Sequence, residues 1–309
     1  MIIDPSKATD TKAMHDLLLG SVSPRPIALA STIDKKGNVN LSPFSFFNIF
    51  STRPAILVFS PSRRVRDTTT KHTLENILET MEVVINTVSY SMVEQVSLAS
   101  AEYEKGVNEF VKSGLTEVKS MLVKPPRVKE SLVSFECRVL EVKSMGTEGG
   151  AGNLVICKVI LIHANDSIFN EQGKVNPIKM DSVARMGGDF YCRANADNIF
   201  ELPKPVTPLS IGIDQLPEAI KNSAVLTGNN LGRLANIDKI PSDQEVKIFE
   251  ESFNYNPIGQ ITEADRISAI HKQAQLFLAN NEVKKAWLLL LSPSSKLKHG
   301  VKRSNPKAS

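Results

Sequence analysis

Hydroxyl, amide and basic residues recur at the ends of apolar stretches throughout the first 86 positions of this 309-residue chain. The segments read SPRPIALAST from Ser23, NLSPFSFFN from Asn40, FSPSRR from Phe59 and KHTLENILETMEVVIN from Lys71. The apolar stretches are typical of strands, so these polar groups are expected where the chain turns and exposes backbone amides. Gathered around one opening, they would suit a ligand that is flat and polar at one end and anionic at the other. Flavin mononucleotide (FMN) is such a ligand.

The last of these segments has the features that a phosphate group requires. A phosphate needs backbone N–H groups, hydroxyls and at least one cation, and a helix N-terminus adds free donors and a favourable dipole. Lys71 and Thr73 lie at the start of a predicted helix. The preceding loop adds one hydroxyl and three bases: Ser60, Arg63, Arg64 and Arg66. The alternative is that these bases form a solvated turn.

The segment NLSPFSFFN can supply the slot that an isoalloxazine ring needs. Such a slot has apolar walls and hydrogen-bond partners for the polar edge of the ring, commonly backbone amides. Pro43 is unsuited to the interior of a central strand. The polar side chains of the segment are Asn40, Ser42, Ser45 and Asn48. Its phenylalanines, at positions 44, 46 and 47, either wall the ring or belong to the core.

The elements predicted around these segments are short strands joined by turns. A first helix is expected from Asp10, its cap, to Leu19, with Gly20 ending it. A second helix is expected from Thr73 to Thr80, and one or two more within 91–112, ending at Gly114. The predicted strands are 27–33 and 39–42, joined as a hairpin by DKKGN, and then 54–60, 81–88, 131–145 and 153–166. This pattern predicts a mainly β fold, a β-barrel with helices packed outside it.

The loop GTEGGAG, residues 146–152, contains four glycines and resembles a phosphate-binding loop at first sight. A phosphate-binding loop is followed by a helix, whereas this one is followed by a predicted strand. We therefore interpret it as a long hairpin turn.

Several segments match one protein family in order and spacing. They are RPIALAST (25–32), NLSPFSFFN (40–48), FSP (59–61), IHANDSI (162–168) and ARMGGDFY (184–191). The spaced pattern between the third and fourth segments consists of Lys71, His72, Thr73, Asn76, Ile77, Thr80, Glu82, Val84 and Asn86. Because of these segments, the first part of the chain, about residues 1–195, resembles the flavin reductase-like proteins with an FMN-binding split barrel, the branch that includes flavoredoxin.

Two features depart from the pattern of that family. His72 stands where the family usually has Asp between the Lys and Thr of its phosphate motif, and the loop RRVRDTTT is longer than usual. The Arg, Asp and Thr at 66–68 imitate the motif, but their spacing to the later residues fits worse than that of residues 71–73. We therefore assign the motif to 71–73.

The resemblance implies a cofactor site, a reaction and an assembly. The implied reaction is hydride transfer from NADH or NADPH to FMN and on to a small-molecule or protein acceptor, with no protein nucleophile. His163 and Arg185 are candidate substrate contacts, and the implied assembly is a homodimer with the cofactor near the subunit interface. The expected FMN contacts are Arg25, Asn40, Leu41, Ser42, Pro43, Ser45, Asn48, Ser60, Arg64, Lys71, His72, Thr73, Met186, Gly187 and Gly188. For the last three residues, a plain turn is the alternative.

Composition and charge exclude several other classes of protein. The chain is 41% hydrophobic and 23% charged, and no stretch approaches the roughly 18 consecutive apolar residues of a membrane span. The N-terminus MIIDPSKATD lacks the basic and apolar regions of a secretory signal, so we expect a cytoplasmic protein. The net charge of +4 arises from five bases after Ser292, and the rest of the chain is nearly neutral. We therefore expect no nucleic-acid or membrane partner.

The cysteines and histidines do not indicate a metal site. Cys137, Cys157 and Cys192 lie far apart without CxxC spacing, which favours unpaired, mostly buried thiols in a reducing compartment. The five histidines show no metal-binding spacing, and no metal is expected.

Composition changes near residue 200 and predicts three regions. Residues 1–199 would form the split barrel, 200–291 a helical C-terminal extension of unknown role, and 292–309 a basic disordered tail. ELPKPVTPLS, at 201–210, is typical of a linker or an extended arm. Thr262 and Asp265 have capping-box spacing, and apolar faces follow at Ile267, Ile270, Ala274 and Phe277 and at Val283, Ala286, Trp287 and Leu290.

The sequence supports an FMN-dependent oxidoreductase, with NAD(P)H:flavin reductase as the leading hypothesis. A flavoredoxin-type electron-transfer protein that does not use nicotinamide directly is the main alternative. A third is a barrel that has lost its flavin and serves as a binding or scaffold module.

Overall fold

The computed structural model describes residues 2–7, 10–205, 209–253 and 262–292. The chain divides into two compact units, Met1–Phe200 and Glu201–Ser309. Of the predicted basic tail, residues 293–309 lie outside the described residues, as do linker residues 206–208. Among the described helices, none combines the length and the apolar character that crossing a membrane requires.

The first unit is built mainly from antiparallel strands. In the described residues, seven strands form one sheet in the order β2-β1-β5-β8-β9-β4-β3, while β6 pairs with β7 and β10 with β11. The strands are β1 (Ala28–Ile33), β2 (Val39–Phe44), β3 (Phe47–Thr52), β4 (Ala55–Phe59), β5 (Glu82–Asn86), β6 (Glu117–Val118), β7 (Arg127–Val128), β8 (Val133–Ser144), β9 (Asn153–Ala164), β10 (Val183–Gly187) and β11 (Phe190–Arg193).

The seven-stranded sheet curls until its two ends approach each other. β2 and β4 are first and sixth in the strand order, yet the rings of Phe44 and Phe59 lie 5.4 Å apart. At the same place the Ser60 N–H donates to the Phe46 carbonyl oxygen at 2.8 Å. Both rings belong to one buried apolar cluster that also contains Ala30 and Ile85. The sheet thus surrounds a single core, as a β-barrel does.

Helices pack against the barrel. α2 inserts Leu74 and Ile77 into the barrel core. The helices of this unit are α1 (Thr11–Ser21), α2 (His72–Thr80), α3 (Val93–Leu98), α4 (Glu109–Ser113) and α5 (Pro177–Met180). Short 3-10 turns lie at Pro5–Lys7, Tyr90–Met92 and Asp166–Ile168.

A second apolar cluster lies on the outer side of β1 and β2. Leu29 and Leu41 alternate with the core-facing residues of their strands and pack against Met92, Val96 and Phe110. The last two belong to α3 and α4. This packing fixes α3 and α4, and the loop between them, beside β2.

Most predicted elements are confirmed, because their signals are local. The first hairpin, α2 and the two long strands lie where the sequence predicts them. The glycine-rich loop 146–152 joins the antiparallel β8 and β9, so its interpretation as a hairpin turn is also confirmed. Gly114 ends α4 with a φ of 66°.

The predicted end of α1 is wrong. Asp10 does cap the helix, accepting hydrogen bonds from the Lys12 and Ala13 N–H groups, but the helix continues through Gly20 to Ser21. Val22 N–H donates to the Leu18 carbonyl at 2.9 Å, which completes a further turn.

The segment 40–48 is also more structured than predicted. The strand predicted at 39–42 continues through Pro43 to Phe44 as β2, and after a short turn the segment begins β3, which was not predicted. β2 lies at an edge of the sheet, where Pro43 costs no ladder hydrogen bond. β3 forms the other edge and carries mostly exposed residues, so it lacks the burial pattern by which strands are recognised.

The second unit is helical, as predicted. Trp287 is 1% exposed, and its Nε1 donates to the Leu234 carbonyl at 2.9 Å. The predicted capping box of Thr262 and Asp265 is confirmed. The helices are α6 (Glu218–Lys221), α7 (Gly228–Ala235), α8 (Asp243–Ser252), α9 (Glu263–Ala279) and α10 (Val283–Leu291), with a 3-10 turn at Ile213–Gln215.

Candidate functional site

Six of the predicted site residues line one small pocket at the N-terminus of α2. Lys71 is the N-cap residue of α2, and its side chain makes no capping hydrogen bond to this helix end. The first N–H groups of a helix have no partner within it and carry the positive end of the dipole. The predicted residues in the pocket lining are Asn40, Ser42, Arg64, Lys71, His72 and Thr73.

Buried hydrogen bonds fix the pocket to the barrel. Asn40 Nδ2 donates to Thr73 Oγ1 at 2.9 Å, and both residues are nearly inaccessible. One turn further along α2, Asn76 Nδ2 donates to Thr32 Oγ1 of β1 at 3.2 Å. The N-terminus of α2 is therefore held rigidly against β1 and β2.

Three cations converge on one carboxylate beside this helix end. Glu102 Oε1 lies 3.2 Å from Arg64 Nε and 3.8 Å from Lys71 Nζ, and its Oε2 lies 3.1 Å from Arg66 Nη2. Arg64 is anchored further by hydrogen bonds to Thr69 Oγ1 and the Thr70 carbonyl. Cations with fixed donors next to free helix N–H groups form a set that suits a phosphate.

The two residues at the start of α2 differ in charge. Burial lowers the pKa of Lys71, the Glu102 carboxylate opposes this shift, and Arg64 adds to it. Burial also lowers the pKa of His72 below its ordinary 6.5, so its imidazole is mostly neutral at pH 7. His72 thus brings neither the negative charge of the Asp that is usual at this position nor an additional cation.

Two acidic residues of the pocket were not found by sequence reasoning. Glu102 comes from the loop between α3 and α4, and Glu109 is the first residue of α4. Glu109 is 5% exposed, and its Oε2 accepts a hydrogen bond from the Leu41 N–H at 2.9 Å. Burial raises the pKa of Glu109, and the bond from Leu41 only partly offsets this.

Arg25 lies elsewhere and is engaged by the protein itself. It is 7% exposed, and its Nη1 donates to the carbonyl oxygens of Leu19, Val22 and Met186. Its Nε lies 3.5 Å from Ser45 Oγ. Arg25 therefore joins the end of α1, the β10–β11 hairpin and the β2–β3 turn.

The Gly-Gly turn of β10–β11 serves close packing. A Cβ on Gly187 would lie 3.1 Å from the Gly20 Cα of α1. Gly188 has a φ of 51°, and its carbonyl accepts a hydrogen bond from Arg185 Nη2 at 2.6 Å. The Arg185 guanidinium also lies over the Tyr191 ring, 4.6 Å from its centroid. These contacts hold the turn against α1, and a cofactor contact at residues 186–188 stays a prediction.

The remaining predicted contacts are spread along the same strands. Leu41 is buried in the outer apolar cluster, and Pro43 is paired with Leu29 in the sheet. Asn48 is exposed on β3, and its Oδ1 accepts from the Ile49 N–H. Ser60 Oγ accepts from the Asn153 N–H at 3.0 Å.

The basic loop 61–70 rests on the glycine-rich turn 146–152. Arg63 N–H donates to the Ala151 carbonyl at 2.9 Å, and Gly150 N–H donates to the Arg63 carbonyl at 3.1 Å. Gly149 lies so close to this loop that a Cβ would be 2.8 Å from the Val65 carbonyl oxygen. The turn thus holds in place the loop that carries Arg64 and Arg66.

Replacing Gly149 by Ala is expected to destabilise the first unit by about 1–3 kcal/mol, because backbone atoms of Val65 would have to move. Hydrogen exchange of the barrel strands along a guanidinium series, followed by mass spectrometry, measures the change in this unit. Gly146→Ala is the matched control, since its Cβ would meet Ala151 Cβ at an ordinary 3.4 Å. Equal stability of the two variants would contradict the proposed support.

His163 lines a different, open pocket of about 540 Å³. Its Nε2 lies 2.6 Å from Oε1 of Glu136, whose side chain is fully buried. This pocket shares no lining residue with the pocket at α2. His163 and Lys71 therefore line different pockets of the chain.

Comparisons with known proteins agree with the resemblance drawn from the sequence. The model of the flavin reductase-like domain matches residues 19–179. An uncharacterized protein of Aquifex aeolicus is 40% identical over 188 residues, which cover 61% of this chain and 93% of the relative.

Solved structures with similar folds cover the first unit. Nitrilotriacetate monooxygenase component B from Bacillus cereus has 27% identity and a TM-score of 0.61, and the match covers 65% of this chain and 98% of that one. Flavoredoxin of Desulfovibrio vulgaris has 18% identity and a TM-score of 0.50, with 67% and 99% covered, and shares the fold. The predicted split β-barrel with a helical extension is confirmed.

Proposed function

Because this chain belongs to the flavin reductase-like family, we propose that it binds FMN and passes hydride from NADH or NADPH through the flavin to a second acceptor. The observation that carries the proposal is the convergence of Arg64, Arg66 and Lys71 at the N-terminus of α2. An anion with nearly two negative charges is the ligand that this donor set favours.

In the proposed site, two groups of residues bind different parts of FMN. Lys71, Arg64 and Arg66 would hold the phosphate, together with the N–H groups at the start of α2. Asn40 and Ser42 line the same pocket and would bind the polar part of the cofactor next to the phosphate. The chemistry that FMN supplies when bound is hydride acceptance and electron delivery. The chain's own residues bind and orient the cofactor, and no protein nucleophile is required.

We also propose that the protein forms a homodimer through the edge of its sheet. β3 is an edge strand, and it exposes 59% of Ile49 and 67% of Phe50, with Phe46 next to it at 38%. Exposed apolar side chains on an edge strand are typical of surfaces that associate. Sedimentation equilibrium should give twice the chain mass of 33.9 kDa. A monomer at micromolar concentration would contradict the proposal.

The function is tested by binding first and by reduction second. Titration of the purified protein with FMN should shift the flavin absorption spectrum, and anaerobic addition of NADH or NADPH should then bleach it. Binding without bleaching by either nucleotide would instead support an electron-transfer protein that is reduced by a partner. A protein that does not bind FMN would refute the proposal and favour a binding or scaffold module.

A further inference from the structure

The three cations are already paired with carboxylates of the chain itself: all three with Glu102, and Arg66 with Asp67 as well. Oε1 of Glu102 lies near Arg64 and Lys71, and its Oε2 lies near Arg66. A carboxylate with both oxygens engaged by bases imitates the way in which a phosphate would use the same groups. The loop that carries Glu102 therefore places a negative charge where the proposed ligand needs to put its own.

Glu102 and a phosphate would compete for the same cations. With Glu102 among its lining residues, the pocket is open to solvent and leaves about 20 Å³ between its walls, room for roughly one water molecule. Two anions sharing the same cations would also repel each other. Phosphate binding thus requires the Glu102 side chain to leave.

Glu102 is held loosely enough to leave. The side chains of Glu102 and Arg66 are 43% and 74% exposed, whereas those of Arg64 and Lys71 are 14% and 30% exposed. The exposed pair with Arg66 is weak and is screened by salt. The residue lies in the irregular loop between α3 and α4, outside any helix or strand. Displacement by a more highly charged group is therefore feasible.

We propose that Glu102 is an internal competitor that opposes binding of the flavin phosphate to Arg64, Arg66 and Lys71. This inference rests on the FMN binding proposed above. Its consequence is that FMN binds more weakly, and exchanges more readily, than the three cations alone would allow. Glu102 would thereby make the flavin a dissociable ligand rather than a permanently held group.

The decisive variant is Glu102→Gln, which keeps the shape of the side chain and removes its charge. We expect the FMN dissociation constant, measured by titration calorimetry, to fall about ten-fold, as weak surface pairs imply. Riboflavin lacks the phosphate, so its affinity should not change. Glu104→Gln is the matched control. It lies in the same loop and is exposed, and its side chain forms no ion pair with these cations in the described part of the chain.

Inorganic phosphate separates the failure of this inference from the failure of the proposed function. Phosphate should raise the melting temperature of Glu102→Gln more than that of the wild-type protein. If phosphate stabilises Glu102→Gln more but neither protein binds FMN, the flavin function is refuted, whereas the competition between Glu102 and a phosphate is supported. Unchanged or weaker binding of both FMN and phosphate by Glu102→Gln, reproduced with Glu102→Ala, would overturn the inference, because Glu102 would then be organising the cations instead of competing for them.

Discussion

Replacing Lys71 by Glu is expected to weaken FMN binding by on the order of 100-fold. The change removes one of the cations beside the N-terminus of α2 and adds an acid next to Glu102. A hydrogen bond to a charged group contributes about 1.5–3 kcal/mol, and about 1.4 kcal/mol corresponds to a ten-fold change in affinity. The loss should shrink at high salt, because the interaction of the phosphate with this partly exposed side chain is screened.

Riboflavin, which lacks the phosphate, provides the internal control for this experiment. Riboflavin affinity should fall far less than FMN affinity in Lys71→Glu, because only FMN carries the negative charge that the new carboxylate repels. Lys36→Glu makes the same change in net charge on the exposed turn between β1 and β2 and should leave both affinities within about two-fold. Unchanged FMN affinity in Lys71→Glu would place the phosphate elsewhere on the protein.

The fold could be predicted from the sequence wherever the signal is local. The turn DKKGN between two β-branched stretches specifies the hairpin β1–β2, and the apolar face of residues 73–80 specifies α2. β3 could not be predicted in this way, because it is an edge strand whose apolar residues are largely exposed. The end of α1 could not be predicted in this way either, because Arg25, beyond the helix, satisfies the carbonyls of Leu19 and Val22.

The candidate site could be predicted only in part, because some of its contacts span long stretches of chain. Lys71 and Thr73 are recognisable as the start of a helix. Glu102 carries no local signal, since its role depends on bases 31 to 38 residues away that only the folded chain brings to it. Likewise, the glycine-rich turn shows its role only through the approach of Gly149 to Val65.

Glu136 holds a long segment of chain onto the outer face of the sheet. Its side chain is fully buried, and its oxygens accept hydrogen bonds from the Met121 N–H at 2.8 Å and the Leu122 N–H at 2.6 Å. His163 Nε2 lies 2.6 Å from Oε1. The nearby Glu82 acts in the same way, accepting from the Lys124 N–H at 2.7 Å. Buried carboxylates thus replace the strand partners that segment 119–125 lacks.

Glu136 is expected to stabilise the protein most above the pH at which carboxylates titrate. Burial alone raises the pKa of Glu136, but the Met121 and Leu122 N–H groups and His163 outweigh it, so the pKa is below its ordinary value. A depressed pKa means that the stabilisation is complete above the unfolded-state pKa of about 4.3 and is lost as the pH falls through the folded-state value.

Replacing Glu136 by Gln should therefore destabilise the first unit by about 3 kcal/mol at pH 7, because an amide offers one acceptor oxygen where the carboxylate offers two. The difference in the free energy of unfolding between the variant and the wild type should narrow below about pH 4, because the wild-type carboxyl becomes protonated there. Glu141→Gln, at an exposed position of the same strand, is the matched control and should change stability by less than about 0.5 kcal/mol.

The measurement has to distinguish the two units of the chain. The single tryptophan, Trp287, is buried in the helical unit, so its fluorescence reports on that unit and not on the barrel. Hydrogen exchange of segment 119–125, followed by mass spectrometry, reports directly on the N–H groups that Glu136 holds. Exchange should accelerate in Glu136→Gln and not in Glu141→Gln. Equal protection in both variants would show that packing, rather than the buried carboxylate, keeps this segment on the sheet.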